Sequence, residues 1–276
     1  MTIAVLASGS SGNALVVSAG GTHLVVDAGV SARRLVGGLD DLGIAADDVA
    51  AVLVTHEHHD HVSGVGPVSR RLGVPVVATR GTHRALHSRL GRECIGVTVT
   101  AGRALGLAGL EIRAFSTSHD CSEPVGYTVS DGATTLAVAT DLGVMTPHVH
   151  ERLAAADCVV LESNHDEKML VDGRYPWHLK RRIMGRLGHL SNAAAAAELR
   201  SLAGSRLSLV ILAHLSDENN DPSLAADVAL EALEDGGLSD VGLPVASQSS
   251  MPGPLEIALP GRAETSSTKM ETAWRR

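Results

Sequence analysis

Two stretches of the chain, 22–60 and 135–166, run through the same order of pieces. THLVVDAGVSARRLVGGL…VAAVLVTHEHHD gives an apolar strand ending in Asp, a glycine two residues on, a helical stretch, a second strand and a polar cluster closing His-Asp. TLAVATDLGVMTPHVHERLAAADCVVLESNHD repeats that order, so Asp27 matches Asp141 and His59-Asp60 matches His165-Asp166. Short Val/Leu-rich runs alternating with helical spacing indicate an α/β architecture. Two units of one design pack face to face with their strand ends along one edge, where residues far apart in the chain converge. With 276 residues, the chain is long enough for one large domain of this kind.

The first unit ends in THEHHDHVSG, where His56, Glu57, His58, His59, Asp60 and His61 follow one another without a break. On an extended segment leaving a strand, His56 and His58 project to the same side. Asp60 and His61 follow at the turn into the next helix. The two groups are enough to seed two adjacent metal ions. His59 points away from His58 and is read as a support behind the ligands. The H-E-x-x-H pattern of helical zinc sites does not fit, because position 60 is Asp. A histidine-rich surface loop is the plain alternative, and such density directly after an apolar strand weighs against it.

Composition narrows what the cluster serves. The net charge of −8 excludes coating nucleic acid through bulk electrostatics, while leaving room for a local basic groove. Cys94, Cys121 and Cys158 are too few and too scattered for a disulfide framework or a CxxC zinc site. The opening MTIAVLASGSSGN lacks a basic start and long apolar stretch, and no apolar run approaches the ~20 residues of a membrane span. A cytoplasmic protein with no membrane association is expected; oligomeric state is not legible. Aromatics make up 2% of the chain, so the core must come from Val, Leu and Ala, with Phe115 the sole phenylalanine. Residues 259–276 are polar and aperiodic, which predicts a disordered tail after a domain over 1–258.

H-x-H-x-D-H at a strand end resembles the signature of the metallo-β-lactamase fold. The resemblance implies a four-layer αββα sandwich and supplies the remaining ligands: His119 in FSTSHDCSEPVGYTV, Asp141 in VATDLG and His214 in VILAHLS. By that resemblance His56, His58 and His119 bind one metal, Asp60, His61 and His214 the other, and Asp141 lies between them. Asp27, in VDAG, is then the residue that orients the ligand loop. SGSSGN, THEHHDH, LESNHDEKML, YPWHLKRRI, GHLSN and AHLSDENN resemble the YycJ/WalJ group, which is associated with double-strand DNA exonuclease activity. Glu162 and His189 resemble the glutamate–histidine pair of tRNA 3′-processing enzymes of this fold, in which the acid keeps the imidazole protonated to serve a leaving group. Asn164 and His165 are candidates to line the same pocket. Lys180, Arg181 and Arg182, between Glu162 and His189, are candidates to clasp phosphates, and a second basic group runs from Arg70 to Arg92. Tyr175 and Trp177 are candidates to stack on a base, with a packing role equally open for Trp177.

The expected function is therefore a dinuclear metal-dependent hydrolase, a phosphodiesterase or nuclease acting on DNA through a metal-bridging hydroxide, with Asp60, Glu162 and His189 as catalytic groups. Nitrogen and oxygen ligands suit two Zn²⁺ ions, and also Mn²⁺ or Fe. The competing readings are a thioester, lactone or other carbon–heteroatom hydrolase, and a non-catalytic metal-stabilised regulatory protein.

Overall fold

The computed structural model describes residues 1–91, 93–246 and 255–256; the expected tail at 259–276 and Arg92 lie outside them. Strands β1 (Thr2–Ala7), β2 (Ala14–Ala19), β3 (Thr22–Val26), β4 (Val49–Leu53), β5 (Val76–Thr79) and β6 (Gly96–Val99) form the first sheet. Strands β7 (Ala104–Leu107), β8 (Leu110–Ser116), β9 (Val125–Ser130), β10 (Thr135–Ala139), β11 (Cys158–Glu162) and β12 (Leu209–Ala213) form the second, and β13 (Leu255–Glu256) pairs with the edge of the first. Both sheets follow one plan. An antiparallel meander, β1-β2-β3 in one and β7-β8-β9-β10 in the other, passes into parallel strands, β4-β5-β6 and β11-β12. The repeat in the sequence thus falls on β3 to β4 and β10 to β11, each joined by a helix: α1 (Ala32–Asp41) in the first sheet and α5 (Pro147–Ala154) in the second.

Alternation within single strands decides the layering. Along β10, Leu136 and Val138 face the other sheet while Ala137 and Ala139 face helices; along β12, Ile211 and Ala213 point inward and Val210 and Leu212 outward. Ile3, Val17, Leu24 and Leu53 meet Ile112, Tyr127, Leu136 and Ile211 in the core between the sheets. Outside the first sheet lie α1, a single turn α2 (His59–Val62), α3 (Val65–Leu72) and α4 (Arg80–Leu90), packed on Val25, Val52 and Val76. Outside the second lie α5, α6 (Glu167–Asp172), α7 (Trp177–Ile183), α8 (Asn192–Ser201) and α9 (Pro222–Asp235); of these α5, α8 and α9 bury Ala137, Leu161 and Leu212. The four-layer αββα arrangement matches the expectation. Valine, leucine and alanine supply nearly all the filling, and each buried valine or leucine contributes about 1.5–3 kcal/mol. Among the described residues no helix is long and apolar enough to cross a membrane.

The ends of the parallel strands carry the fold's unusual backbone. Asp27, Asp141 and His214 follow β3, β10 and β12, and all three sit in the left-handed region, at φ 60°, 59° and 58°. A side chain held there costs about 1–3 kcal/mol and persists where the surroundings over-determine it. Each turn swings a polar side chain back over the end of its sheet, toward the same edge.

Candidate metal centre

Asp27 fixes the ligand loop. Its buried carboxylate accepts hydrogen bonds from the Thr55 backbone N–H and hydroxyl, both 2.8 Å, and lies 2.7 Å from His61 Nδ1. Tyr127, reaching across from the second sheet, donates its hydroxyl to the Val54 carbonyl at 2.8 Å. Thr55 Oγ1 is 3.0 Å from His56 Nδ1, and His56 Nε2 is buried with no hydrogen-bond partner. The loop rests on Gly29, where an added Cβ would stand 1.5 Å from the Asp60 carbonyl oxygen; only a glycine lets the backbones approach so closely. The SGSSGN turn between β1 and β2 adds Asn13, whose N–H donates to the Asp60 carbonyl and whose Nδ2 lies 3.0 Å from His61 Nε2.

The second half of the chain closes the site. His119 donates from Nδ1 to the Gly188 carbonyl, leaving Nε2 facing His58 Nδ1 at 3.1 Å. Asp141 lies centrally, with Oδ2 3.2 Å from His61 Nε2 and Oδ1 3.7 Å from His119 Nε2. His214 sets Nδ1 3.0 Å from Glu162 and Nε2 3.4 Å from Asp60. Each of these imidazoles thus has one nitrogen held by a fixed partner and the other turned inward, which is how proteins present histidine to a cation. Four convergent sets result: His56, His58, His119 and Cys121; His56, His61 and Asp141; Asp60, His61 and His214; and Asp141, Glu162, His189 and His214, with ligand atoms within 4.8 Å of one another in each. Two buried atoms at their centre, His56 Nε2 and Asp141 Oδ2, have no hydrogen-bond partner, so the donor set fits two adjacent divalent ions.

Glu162 is wholly buried, and its two oxygens meet four groups: His189 Nδ1 at 2.7 Å, His214 Nδ1 at 3.0 Å, and the backbone N–H of Leu142 at 2.7 Å and Leu190 at 3.1 Å. Burial alone would raise its pKa, but the histidines outweigh burial and hold it at about 2. Burial likewise works against the charged form of His189, and Glu162 and Asp141 outweigh it and raise the imidazole above its ordinary range. His56 is the opposite case, kept neutral by burial and by its neighbouring histidines, which leaves a lone pair to offer. A polar cavity of about 290 Å³ opens over these groups, lined by Ser10, His58, His59, Asp60, Asp141, Arg182, His189 and His214.

The expected positions divide clearly. His56, His58, Asp60, His61, His119, Asp141 and His214 come together, Asp27 grips the loop, and Glu162 pairs with His189. His59 does not support a ligand from behind; it is exposed at the cavity mouth, because the first turn of α2 rotates it outward. Asn164 and His165 are buried away from the cavity: Asn164 donates to the His214 carbonyl at 2.9 Å, and so holds the turn that carries His214. Lys180 is buried too, its ammonium donating to the Val171 and Gly173 carbonyls at 2.6 Å each. Arg182 lines the cavity and pairs with Asp120 at 2.7 Å, while Arg181 is exposed beside it. Arg70, in the other basic group, is turned to the Leu90 carbonyl on the outer face of the first sheet. Cys121 was not anticipated: its Sγ lies 3.4 Å from His58 Nε2, and burial pushes the thiol pKa up. Its place two residues after His119 was the available signal. Asn13 closes the SGSSGN turn and Tyr127 lies in the same FSTSHDCSEPVGYTV stretch as His119, so both stood inside quoted motifs without being singled out.

Similarity to known proteins agrees with this geometry. Residues 22–214 match the Beta-lactamase superfamily domain. The chain is 36% identical over 235 residues to exodeoxyribonuclease YycJ of Bacillus anthracis, covering 84% of this chain and 89% of that one. It is 34% identical over 228 residues to exodeoxyribonuclease WalJ of Streptococcus pneumoniae, covering 80% and 84%. The fold superposes on the metallo-beta-lactamase fold protein YhfI from Bacillus subtilis with a TM-score of 0.70 at 16% identity, over 92% of this chain and 99% of that one. With its family match spanning both strand-end halves of the site, the chain belongs to the metallo-β-lactamase superfamily.

Proposed function

We propose that the chain is a dinuclear metal-dependent phosphodiesterase that cleaves DNA, an exodeoxyribonuclease like the relatives named above. His56, His58 and His119 would hold one divalent ion, and Asp60, His61 and His214 the other, with Asp141 between them. Such ions, when bound, polarise a phosphoryl oxygen and lower the pKa of a water. Zinc suits this nitrogen and oxygen set, with manganese and iron compatible.

The observation that carries the reading is the His189–Glu162 contact of 2.7 Å beside the ligand cluster. Nδ1 is committed to Glu162, so the second nitrogen is the one available to substrate in the cavity. Raised in pKa by Glu162 and Asp141, the imidazole keeps a proton to donate to a departing oxygen. An alkoxide leaving group needs that proton, whereas a thiolate leaves without it, so the pair favours a phosphodiester over a thioester. Arg182, at the cavity wall, offers its guanidinium to phosphate oxygens as they displace Asp120. Residues 1–258 are taken as one hydrolase domain, and a DNA substrate suits a cytoplasmic site of action.

The deciding experiment measures the metal content of the purified protein and its turnover of bis-p-nitrophenyl phosphate, a thioester and nitrocefin. Two ions per chain and hydrolysis of the phosphodiester are expected. Turnover of the thioester alone would sink the proposal.

A further inference from the structure

Four of the six large hydrophobic side chains exposed among the described residues fall on one short arm: Val171, Trp177 at 55% exposure, Met184 at 41% and Leu187 at 54%. The same arm is locally basic in an acidic protein. Residues 173–189 carry Arg174, Lys180, Arg181, Arg182 and Arg186 and no Asp or Glu, in a chain of net charge −8; Asp172 adjoins Val171 at the arm's start, and Arg174 is paired with Glu218 at 3.0 Å. Hydrophobic exposure and cationic charge together do not describe an ordinary solvated helix face.

The arm is also held firmly. Lys180 ties α7 to the Val171 and Gly173 carbonyls, Ser118 Oγ donates to the Arg186 carbonyl at 2.5 Å, and His119 donates to that of Gly188. Lys180 Nζ sits 5.8 Å from the Trp177 ring centroid, which restrains the ring while more than half of the side chain stays in solvent. Trp177 and Arg181 are one helical turn apart, so they share a face, and Met184 follows at the helix end. Arg182 and His189, from the same arm, line the cavity. Arg181 and Arg186 have no acidic partner among the described residues. A path therefore runs from the cavity wall along guanidinium groups to an exposed indole.

We infer that this arm, α7 with its flanking turns, is a platform for a single nucleic-acid strand, which stacks a base on Trp177 and lays its phosphates along Arg181, Arg182 and Arg186. The inference rests on the proposed phosphodiesterase reading and adds to it where the strand leaves the metal centre. Aromatic rings stack on any base, so the platform discriminates strand from no strand rather than one sequence from another. Charge selects the occupant: an apolar protein partner would leave the arginines facing it without counter-charge, whereas a phosphate backbone neutralises them.

The test compares wild type, Trp177→Ala and Trp177→Phe on a short single-stranded oligonucleotide and on bis-p-nitrophenyl phosphate, which is too small to reach Trp177 from the cavity. Trp177→Ala is expected to raise the oligonucleotide KM, relative to that of the small diester, by about tenfold, the scale of one lost base–aromatic stack. Trp177→Phe should recover most of it. An unchanged KM ratio in Trp177→Ala overturns the platform. Binding is read separately from turnover: in a Trp274→Phe background, the oligonucleotide should quench the Trp177 emission. Quenching without hydrolysis of either substrate keeps the platform and removes the phosphodiesterase reading. Hydrolysis without quenching does the reverse and leaves the arm to a protein partner.

Discussion

At the scale of single residues, Glu162 separates two roles that a pairwise reading would merge. Its Oε1 serves both His189 and His214, so changing it disturbs the proposed proton donor and a proposed metal ligand together. His189→Ala should leave both ions bound and slow cleavage of poor leaving groups more than good ones, as steady-state rates on aryl and alkyl phosphodiesters would reveal. Glu162→Gln should in addition lower occupancy of the Asp60, His61 and His214 set, measured by elemental analysis after dialysis. Equal rate losses on both classes of leaving group would remove His189 from proton transfer. Asp60→Ala should lose one of two ions and all turnover; full activity in that variant would refute the ligand division. Much of this was legible, because ionisable side chains do not crowd after an apolar strand for packing reasons. What spacing could not show is direction. Lys180, Arg181 and Arg182 are consecutive, yet one is buried on carbonyls, one is exposed and one faces the cavity, since successive helix positions turn by about 100°.

At the scale of elements, the turns after strands carry the site, and their tightness is checkable. Gly29 and Gly64 leave no room for a side chain: a Cβ would meet the Asp60 and Val30 carbonyl oxygens at 1.5 and 1.9 Å. Gly29→Ala must therefore shift the ligand loop, with an expected loss of about 2–4 kcal/mol in urea denaturation and a parallel loss of metal affinity. Wild-type stability in Gly29→Ala would mean that the loop is less fixed than this contact implies. The α6–α7 turn gives the complementary case. Lys180→Met strands two carbonyls and should cost about 1–3 kcal/mol. The salt dependence of DNA binding should stay unaltered, because the lost ammonium never faced the phosphates; a shallower slope would return Lys180 to the groove. The strands themselves were readable from alternating Val and Leu, and the β3–β4 and β10–β11 correspondence from their matched endings. The left-handed turns at Asp27, Asp141 and His214 were not, since an L-residue at φ near 60° leaves no mark in composition.

At the scale of the molecule, the centre lies on the seam between two sheets. His56, His58, Asp60 and His61 follow β4 of the first sheet, while His119, Asp141 and His214 leave strands of the second. Polar ties cross the seam nearby, among them the Val125 N–H to the Thr55 carbonyl at 3.0 Å, the Ser122 N–H to Glu57 at 2.7 Å and the Gly81 N–H to Glu123 at 2.7 Å. The Tyr127 hydroxyl reaches the Val54 carbonyl, and the His214 N–H donates to Ser8 Oγ at 2.8 Å. Ions bound there would act as cross-links between the halves, and because the unfolded chain has no such site, their binding energy is folding energy. At a free metal concentration a hundredfold above the dissociation constant, each ion adds about 2.7 kcal/mol, hence ~5 kcal/mol for two. For a domain of this size that corresponds to a fall of roughly 10–20 °C in Tm on chelation. Differential scanning fluorimetry with and without EDTA, followed by back-titration with Zn²⁺, measures it. His214→Ala, which removes a proposed ligand on one side of the seam, should show a smaller chelator response than wild type. If chelation strips the metal without moving Tm, the ions do not join the halves, and the sheets are held by the Val and Leu core and the hydrogen bonds between them.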